Sequence, residues 1–299
     1  MSPQSAGEAI PRPLRALTAI SACLAATAAL TGCVSTSMPA SAAGKGGLPP
    51  SITEDRELKV GLSPDFPPME YRDEKTNRLV GVDIELARAL GAKLGLKVTF
   101  QEQKFDQLMN SVTTSRVDMV MSGISDTVER QETVDFVDYF DTVGRFYTLP
   151  SRAGDFRNSD DVCGRKLAVS KTTDYYGQAL AYNEQYCTAK GKPAIRVLPT
   201  DSGAAARLQL EQKRADVAIQ GGENLAFFAR TEPGRFKAVL DPIQAKPFAA
   251  VVKKDDKPMA RLVLKGFRQL RADGTYQRIL KKSGMAYASM PPKFNGVED

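Results

Sequence analysis

From Leu58 onward, short apolar runs of strand character alternate with longer stretches whose apolar residues recur every three or four positions. LKVGLS reads as a strand that stops at PDFPP, and DIELARALGAKLG as a helix. That helix carries Ile84, Ala87, Leu90 and Leu94 on one face, with Asp83 placed as its N-cap. KVTFQEQ predicts a strand, FDQLMNSVTT a helix and VDMVMSG a strand. This order is βαβ alternation, which implies a largely parallel sheet covered by helices.

A second series follows the hinge-like TLPSRAGDF: KLAVS, AIRVLP and ADVAIQ as strands, TTDYYGQALAYNEQY and SGAAARLQLEQK as helices. Two α/β units of similar size result. The pattern PMARLVLKGFRQLRADGTYQRILKKSG predicts two final helices, turned by ADG. Met259, Leu262, Val263, Phe267 and Leu270 line the first, and Tyr276, Ile279 and Leu280 the second. Periodicity does not assign these helices to either unit.

Ahead of Leu58 the pattern changes. Arg12 and Arg15 precede an apolar stretch from Ala16 to Leu30, a secretory signal pattern too short to span a bilayer. LTGC follows, with small residues before Cys33, a spacing that resembles a bacterial lipobox and implies that Cys33 becomes the lipidated first residue of the mature chain. Residues 34–50, VSTSMPASAAGKGGLPP, have the composition of a flexible tether. Export changes the reading of the cysteines. Cys23 leaves with the signal, Cys33 is acylated, and Cys163 and Cys187 remain as a disulfide or as two reduced thiols, with the oxidising compartment favouring the disulfide.

The 299 residues are 42% hydrophobic, enough for one large or two ordinary cores. The sequence contains no histidine. That removes the Ser-His-Asp triad, the Cys-His pair and nearly every zinc geometry. A net charge of +6 is interleaved rather than clustered, so nucleic-acid binding is not expected.

Candidate chemistry gathers in loops beyond strand ends, where ligands of open α/β sheets bind. Phe66, between a strand end and two prolines, is either a flat wall for a ligand or a core contact, and Phe105 has the same two readings. MSGISDTVERQETVDF follows VDMV; its backbone amides, Ser122, Ser125 and Arg130 suit a carboxylate, the guanidinium offering a planar fork. A solvated surface turn is the alternative. Neither serine has a histidine base, so nucleophilic catalysis is not supported. In the second unit Thr172 and Thr173 precede a helix and Glu223 follows a strand end, so that a ligand carrying both a carboxylate and an ammonium could be held from two sides.

In order and spacing, LKVGLSPDFPPMEY, LVGVDIELARALGAKLG, FDQLMNSVTTSRVDMVMSGISDTVERQETVDFVDYF and RADGTYQRILKK resemble extracellular solute-binding protein family 3, the polar amino-acid receptors of ABC importers. The resemblance runs from about Leu58 to Gly284. It implies the α/β type II periplasmic binding protein fold: two lobes, each a mainly parallel sheet flanked by helices, joined by two crossover hinge segments. The expected boundaries are a lipoprotein signal peptide at 1–32, a tether at 33–51, lobe 1 at 52–143 plus 249–286, lobe 2 at 144–248 and a tail at 287–299. Phe66 and Phe105 are then expected to flank the ligand side chain, and Ser122, Gly123, Ser125 and Arg130 to bind its α-carboxylate. Thr172 and Thr173 match the family's Gly-Thr-Thr element.

Three positions depart from the pattern. Ser63 stands where many members have an acidic or other polar residue near the ligand side chain, so no cationic side chain is expected there. Lys171 replaces the glycine of the Gly-Thr-Thr element. The Asp that usually pairs with the α-amine is Gly221, and Glu223, two residues on, is the candidate substitute.

The resemblance implies a receptor for a small amino acid or amino-acid-like solute, which hands its ligand to ABC permease and ATPase subunits. Such a receptor is extracytoplasmic, held to the membrane through Cys33, monomeric, and free of metal and cofactor. Two other functions share the fold. A cyclohexadienyl-dehydratase-like enzyme would need a general acid, for which Glu223 or Asp174 are the options, and a sensory module would use the same cleft to signal to a membrane partner.

Overall fold

The computed structural model describes residues 48–49, 52, 56–244 and 246–298. The signal pattern, Cys33 and most of the tether lie outside the described residues.

Two sheets carry the fold. The first has the order Lys293–Phe294, Val134–Phe140, Phe248–Lys253, Met119–Ser125, Glu57–Leu62, Lys97–Glu102. The second has the order Arg196–Thr200, Lys166–Ser170, Val217–Gly221, Val143–Thr148, Lys237–Gln244. In each, the strands of the βαβ units pair in parallel, and the remaining strands pair antiparallel. The chain crosses between the sheets on antiparallel strands. The chain leaves the first sheet at Phe140 and enters the second at Val143, then leaves at Gln244 and returns at Phe248. The chain therefore passes between the sheets at residues 141–142 and again between Gln244 and Phe248, not at TLPSRAGDF. Most of that segment is a 3-10 turn, Pro150–Asp155, inside the second lobe.

Both sheets are covered on both faces. Met119 and Met121 face the helices Val82–Leu94, Lys257–Ala272 and Thr275–Lys282, whereas Val120 and Ile124 face the short helix Leu108–Thr113. Alternate side chains of a strand point to opposite sides, so two covered faces leave no polar alternation. In the second sheet Phe146 packs toward the helix Asp174–Tyr186 and Tyr147 toward the helix Gly203–Glu211. The final two helices return to the first lobe, where Phe267 stacks on Tyr139 with ring centroids 5.2 Å apart.

Cys163 and Cys187 are joined, with their α-carbons 5.5 Å apart. Leu48, from the end of the tether, packs against the first core. Lys293–Phe294, from the C-terminal segment, adds an edge strand to the first sheet. Asp83 is not the N-cap that its position predicts; Gly81 takes that place and the Asp83 carboxylate is buried inside the lobe.

Candidate functional site

Between the sheets lies a cavity of about 50 Å³, lined from both lobes. The first lobe lines it with Asp65, Phe66, Phe105, Gly123, Ser125, Arg130 and Phe248; the second adds Ser170, Thr172, Thr173, Asp174, Tyr175, Asp201, Ser202, Gly203, Ile219 and Gln220, with Asp201 paired to Lys171.

Arg130 sits in the short helix Val128–Gln131, whose start is capped by Thr127: the Arg130 N–H donates to Thr127 Oγ1 at 3.2 Å. Its guanidinium turns back across the strand end. Nη1 donates to the Ser125 carbonyl at 2.9 Å, and Nη2 crosses to the Thr172 carbonyl of the other lobe at 3.2 Å. A guanidinium has five N–H donors, so these two bonds leave donors for a ligand. Burial pulls Arg130 below its ordinary basicity, and Asp174, Glu129 and Asp126 oppose that pull. A second bond crosses the cleft, from Ser125 Oγ to Asp174 Oδ1 at 2.8 Å, while Asp174 Oδ2 accepts from Gln178 at 2.6 Å. A third runs from the Asn224 side-chain amide to the Pro67 carbonyl.

The Phe66 ring lies against Gly123, so closely that a Cβ there would come within 2.6 Å of it. With φ of +51° and that ring above it, position 123 takes glycine alone. Phe66 also meets Phe248 edge-on, with centroids 5.9 Å apart. Phe105 contributes to the same cavity from the start of its turn.

Three of the expected residues do not reach the lining. Ser122 is buried, accepting the Ser63 N–H at 2.9 Å and donating to Glu70 Oε1 at 2.7 Å. The Ser63 hydroxyl donates to Asp65 Oδ1 at 3.1 Å, which leaves Asp65 as the carboxylate at that corner of the cavity. Even the Gly123 N–H turns inward, to Asp83 Oδ2 at 2.9 Å, while Tyr139 OH donates to Asp83 Oδ1 at 2.6 Å. Burial pushes Asp83 up to about 6 and Glu70 well above the usual carboxylate range. This acid pair claims the donors that the sequence offers to a ligand.

Glu223 is also behind the wall. Its Oε2 accepts from Thr142 Oγ1, in the first hinge segment, at 2.5 Å, and its Oε1 has no partner among the described residues. Burial raises it to about 7, with Asp174 and Asp83 pushing in the same direction. The carboxylate occupies the space beside Gly221: a Cβ there would lie 1.6 Å from Glu223 Oε1.

Several lining residues were not singled out from the sequence. Ser202 opens a helix after a strand, the same signal that marked Thr172 and Thr173. Gln220 is held by Arg207 and Tyr147, which donate to its Oε1 at 3.0 and 3.3 Å. Phe248 arrives on the returning crossover, which carries no periodic signal.

Comparison with known proteins matches this architecture. The family model for bacterial extracellular solute-binding proteins, family 3, covers residues 58–285. The arginine-binding protein ArgT of Corynebacterium glutamicum is 30% identical over 80% of this chain and 77% of its own length. A putative ABC transporter arginine-binding protein 2 of Escherichia coli is 27% identical over 78% of this chain and 92% of its own. Among solved structures, an ancestral amino-acid-binding protein, a precursor of cyclohexadienyl dehydratase, superposes with a TM-score of 0.67 at 26% identity, covering 76% of this chain and 95% of that one.

Proposed function

The chain belongs to the bacterial extracellular solute-binding proteins of family 3, and from that membership we propose that it captures an α-amino acid with a basic side chain between its lobes and presents it to an ABC permease. The observation that carries this reading is Arg130, a guanidinium fork at a strand end that is anchored to carbonyls of both lobes, Ser125 and Thr172. A carboxylate placed on its free donors touches both halves of the cleft at once. Ligand contacts made with both lobes favour the closed form, which is the form a membrane partner can distinguish.

Phe66 and Phe105 provide apolar walls for the side-chain stem, and Asp65 at the same end takes a terminal cation. The absence of an acid at Ser63 is made good by Asp65, two residues on, to which Ser63 itself donates. The arginine-binding relatives support the same ligand class. Catalysis is not part of the reading. Glu223, raised to about 7 by burial, does not line the cavity, where a general acid must reach the group it protonates, and Asp174, which does, already has both oxygens accepting hydrogen bonds, from Ser125 and Gln178. Lipidation at Cys33 would keep the receptor beside its transporter and raise its effective concentration there.

The test is a thermal-shift panel of L-amino acids and small carboxylates on the mature domain and on Arg130→Ala. L-arginine should raise the melting temperature of the wild type, and the Arg130→Ala variant should lose that response while keeping its unliganded transition. A wild type that no amino acid stabilises, or a variant that responds equally, overturns the reading.

A further inference from the structure

Where most family members carry the Asp that holds the ligand ammonium, this chain has Gly221. We propose that Asp174, on a different element, binds the ammonium instead and makes the cleft select zwitterions over plain carboxylates. The inference rests on the amino-acid reading above and assigns the second charge of the same ligand.

Position 221 cannot be the ammonium site. The backbone there carries no side chain, and the volume beside it is filled by the Glu223 carboxylate, 1.6 Å from where a Cβ would lie. Glu223 does not inherit the role either. It is bonded to Thr142 of the hinge, it is 1% exposed, and it is absent from the cavity lining.

Asp174 has the opposite disposition. It opens the helix Asp174–Tyr186 directly after Thr172 and Thr173, and it lines the cavity with them. Ser125 connects it to the carboxylate site. The Ser125 carbonyl accepts from Arg130 Nη1 at 2.9 Å, and the Ser125 hydroxyl donates to Asp174 Oδ1 at 2.8 Å. One residue, Ser125, therefore touches the cation through its carbonyl and the anion through its hydroxyl. Arg130 and Asp174 influence each other electrostatically without forming an ion pair among the described residues. A carboxylate that settles on Arg130 without an ammonium meets Asp174 as a like charge, which is unfavourable in a half-buried cleft. With an ammonium beside it, both charges of the cleft are matched.

A purely structural role is the competing explanation, since an acid in the first turn of a helix stabilises it through the backbone dipole. That role affects stability without changing which ligand is chosen. The probes are L-arginine, or the amino acid with the largest shift in the panel above, and its deaminated carboxylic acid, titrated calorimetrically into wild type, Asp174→Asn and Glu223→Gln. Wild type should prefer the amino acid strongly. Asp174→Asn should reduce that preference by about tenfold or more, the loss of one charge-assisted hydrogen bond. Glu223→Gln should leave it within about threefold, as expected for a group outside the cavity. An unchanged preference in Asp174→Asn, even with a lowered melting temperature, overturns the proposal, as does a collapse of preference in Glu223→Gln. A wild type that binds the deaminated acid but no amino acid sinks the amino-acid reading as well, whereas one that binds amino acids indifferently to Asp174→Asn sinks only the assignment of Asp174.

Discussion

Substituting Gly221 by alanine should be costly only while Glu223 is present. The backbone at 221, with φ of −60° and ψ of 144°, accepts any L-residue without strain. The obstacle is steric: the new Cβ would lie 1.6 Å from Glu223 Oε1, 2.4 Å from its Cδ and 2.7 Å from its Oε2. The whole carboxylate must move, which breaks the 2.5 Å bond from Thr142 and leaves a hydroxyl on a residue only 4% exposed without that partner. Leaving that buried hydroxyl unpaired costs about 1–3 kcal/mol, and overpacking adds roughly 1–3 kcal/mol. Gly221→Ala alone should thus destabilise by about 2–6 kcal/mol, equivalent to roughly 5–15 °C in a protein of this size. In a Glu223→Ala background the space is empty, and the same change should fall within about 1 kcal/mol of neutral. Urea unfolding of the four proteins in the cycle gives the coupling, expected at about 2–6 kcal/mol. Equal costs of Gly221→Ala in both backgrounds would refute the claim that Glu223 fills this space.

Two further changes probe the parts of the fold that support the cleft. Asp138 is buried against Asp126, and burial and that neighbour push it up to about 8. Because its folded value lies above its ordinary 3.8, the folded state holds the proton more tightly than the unfolded chain, so this contribution to stability is greatest below pH 4 and is lost as pH rises toward 8. Asp138→Asn should accordingly flatten the decline in melting temperature between pH 5 and about 8.5 relative to wild type; an identical decline in both proteins would contradict the assignment. The Cys163–Cys187 bond spans 24 residues, for which loop-closure entropy predicts about 3.5 kcal/mol of stabilisation. Replacing both cysteines by serine should lower stability by about that amount while leaving ligand affinity nearly unchanged, because neither residue lines the cavity. A matching loss of affinity would show that the bond shapes the cleft.

The helices were legible because each buries one face and shows the other to water. Leu90 and Phe267 fall on such faces and pack in one core. The crossover strands were not. Phe248–Lys253 is buried at every position but its last, so it lacks the alternation that marks a half-covered strand, and its partners Met119–Ser125 and Val134–Phe140 lie more than a hundred residues earlier. In the site, Arg130 was readable as a cation just beyond a strand end rich in small residues. Which of the neighbouring donors reach the cleft was not. Glu70 and Asp83, both buried, capture the Ser122 hydroxyl and the Gly123 N–H, leaving Ser125 to cross to Asp174.

The sequence by itself determined the alternation of strands and helices, the two α/β units, the absence of histidine chemistry, and the strand-end loops where a ligand would sit. These are properties of each element relative to its own axis, and a period of two or of 3.6 records them locally. Only the tertiary structure decided how the loops meet. Arg130 reaches Thr172 across 42 residues of chain and Ser125 reaches Asp174 across 49, through a cleft whose walls belong to different lobes. The same holds for the acids. Glu223 and Asp174 look alike as residues near the start of a helix, yet packing buries one against the hinge beside Gly221 and leaves the other facing Ser125, because burial depends on what the rest of the chain brings alongside.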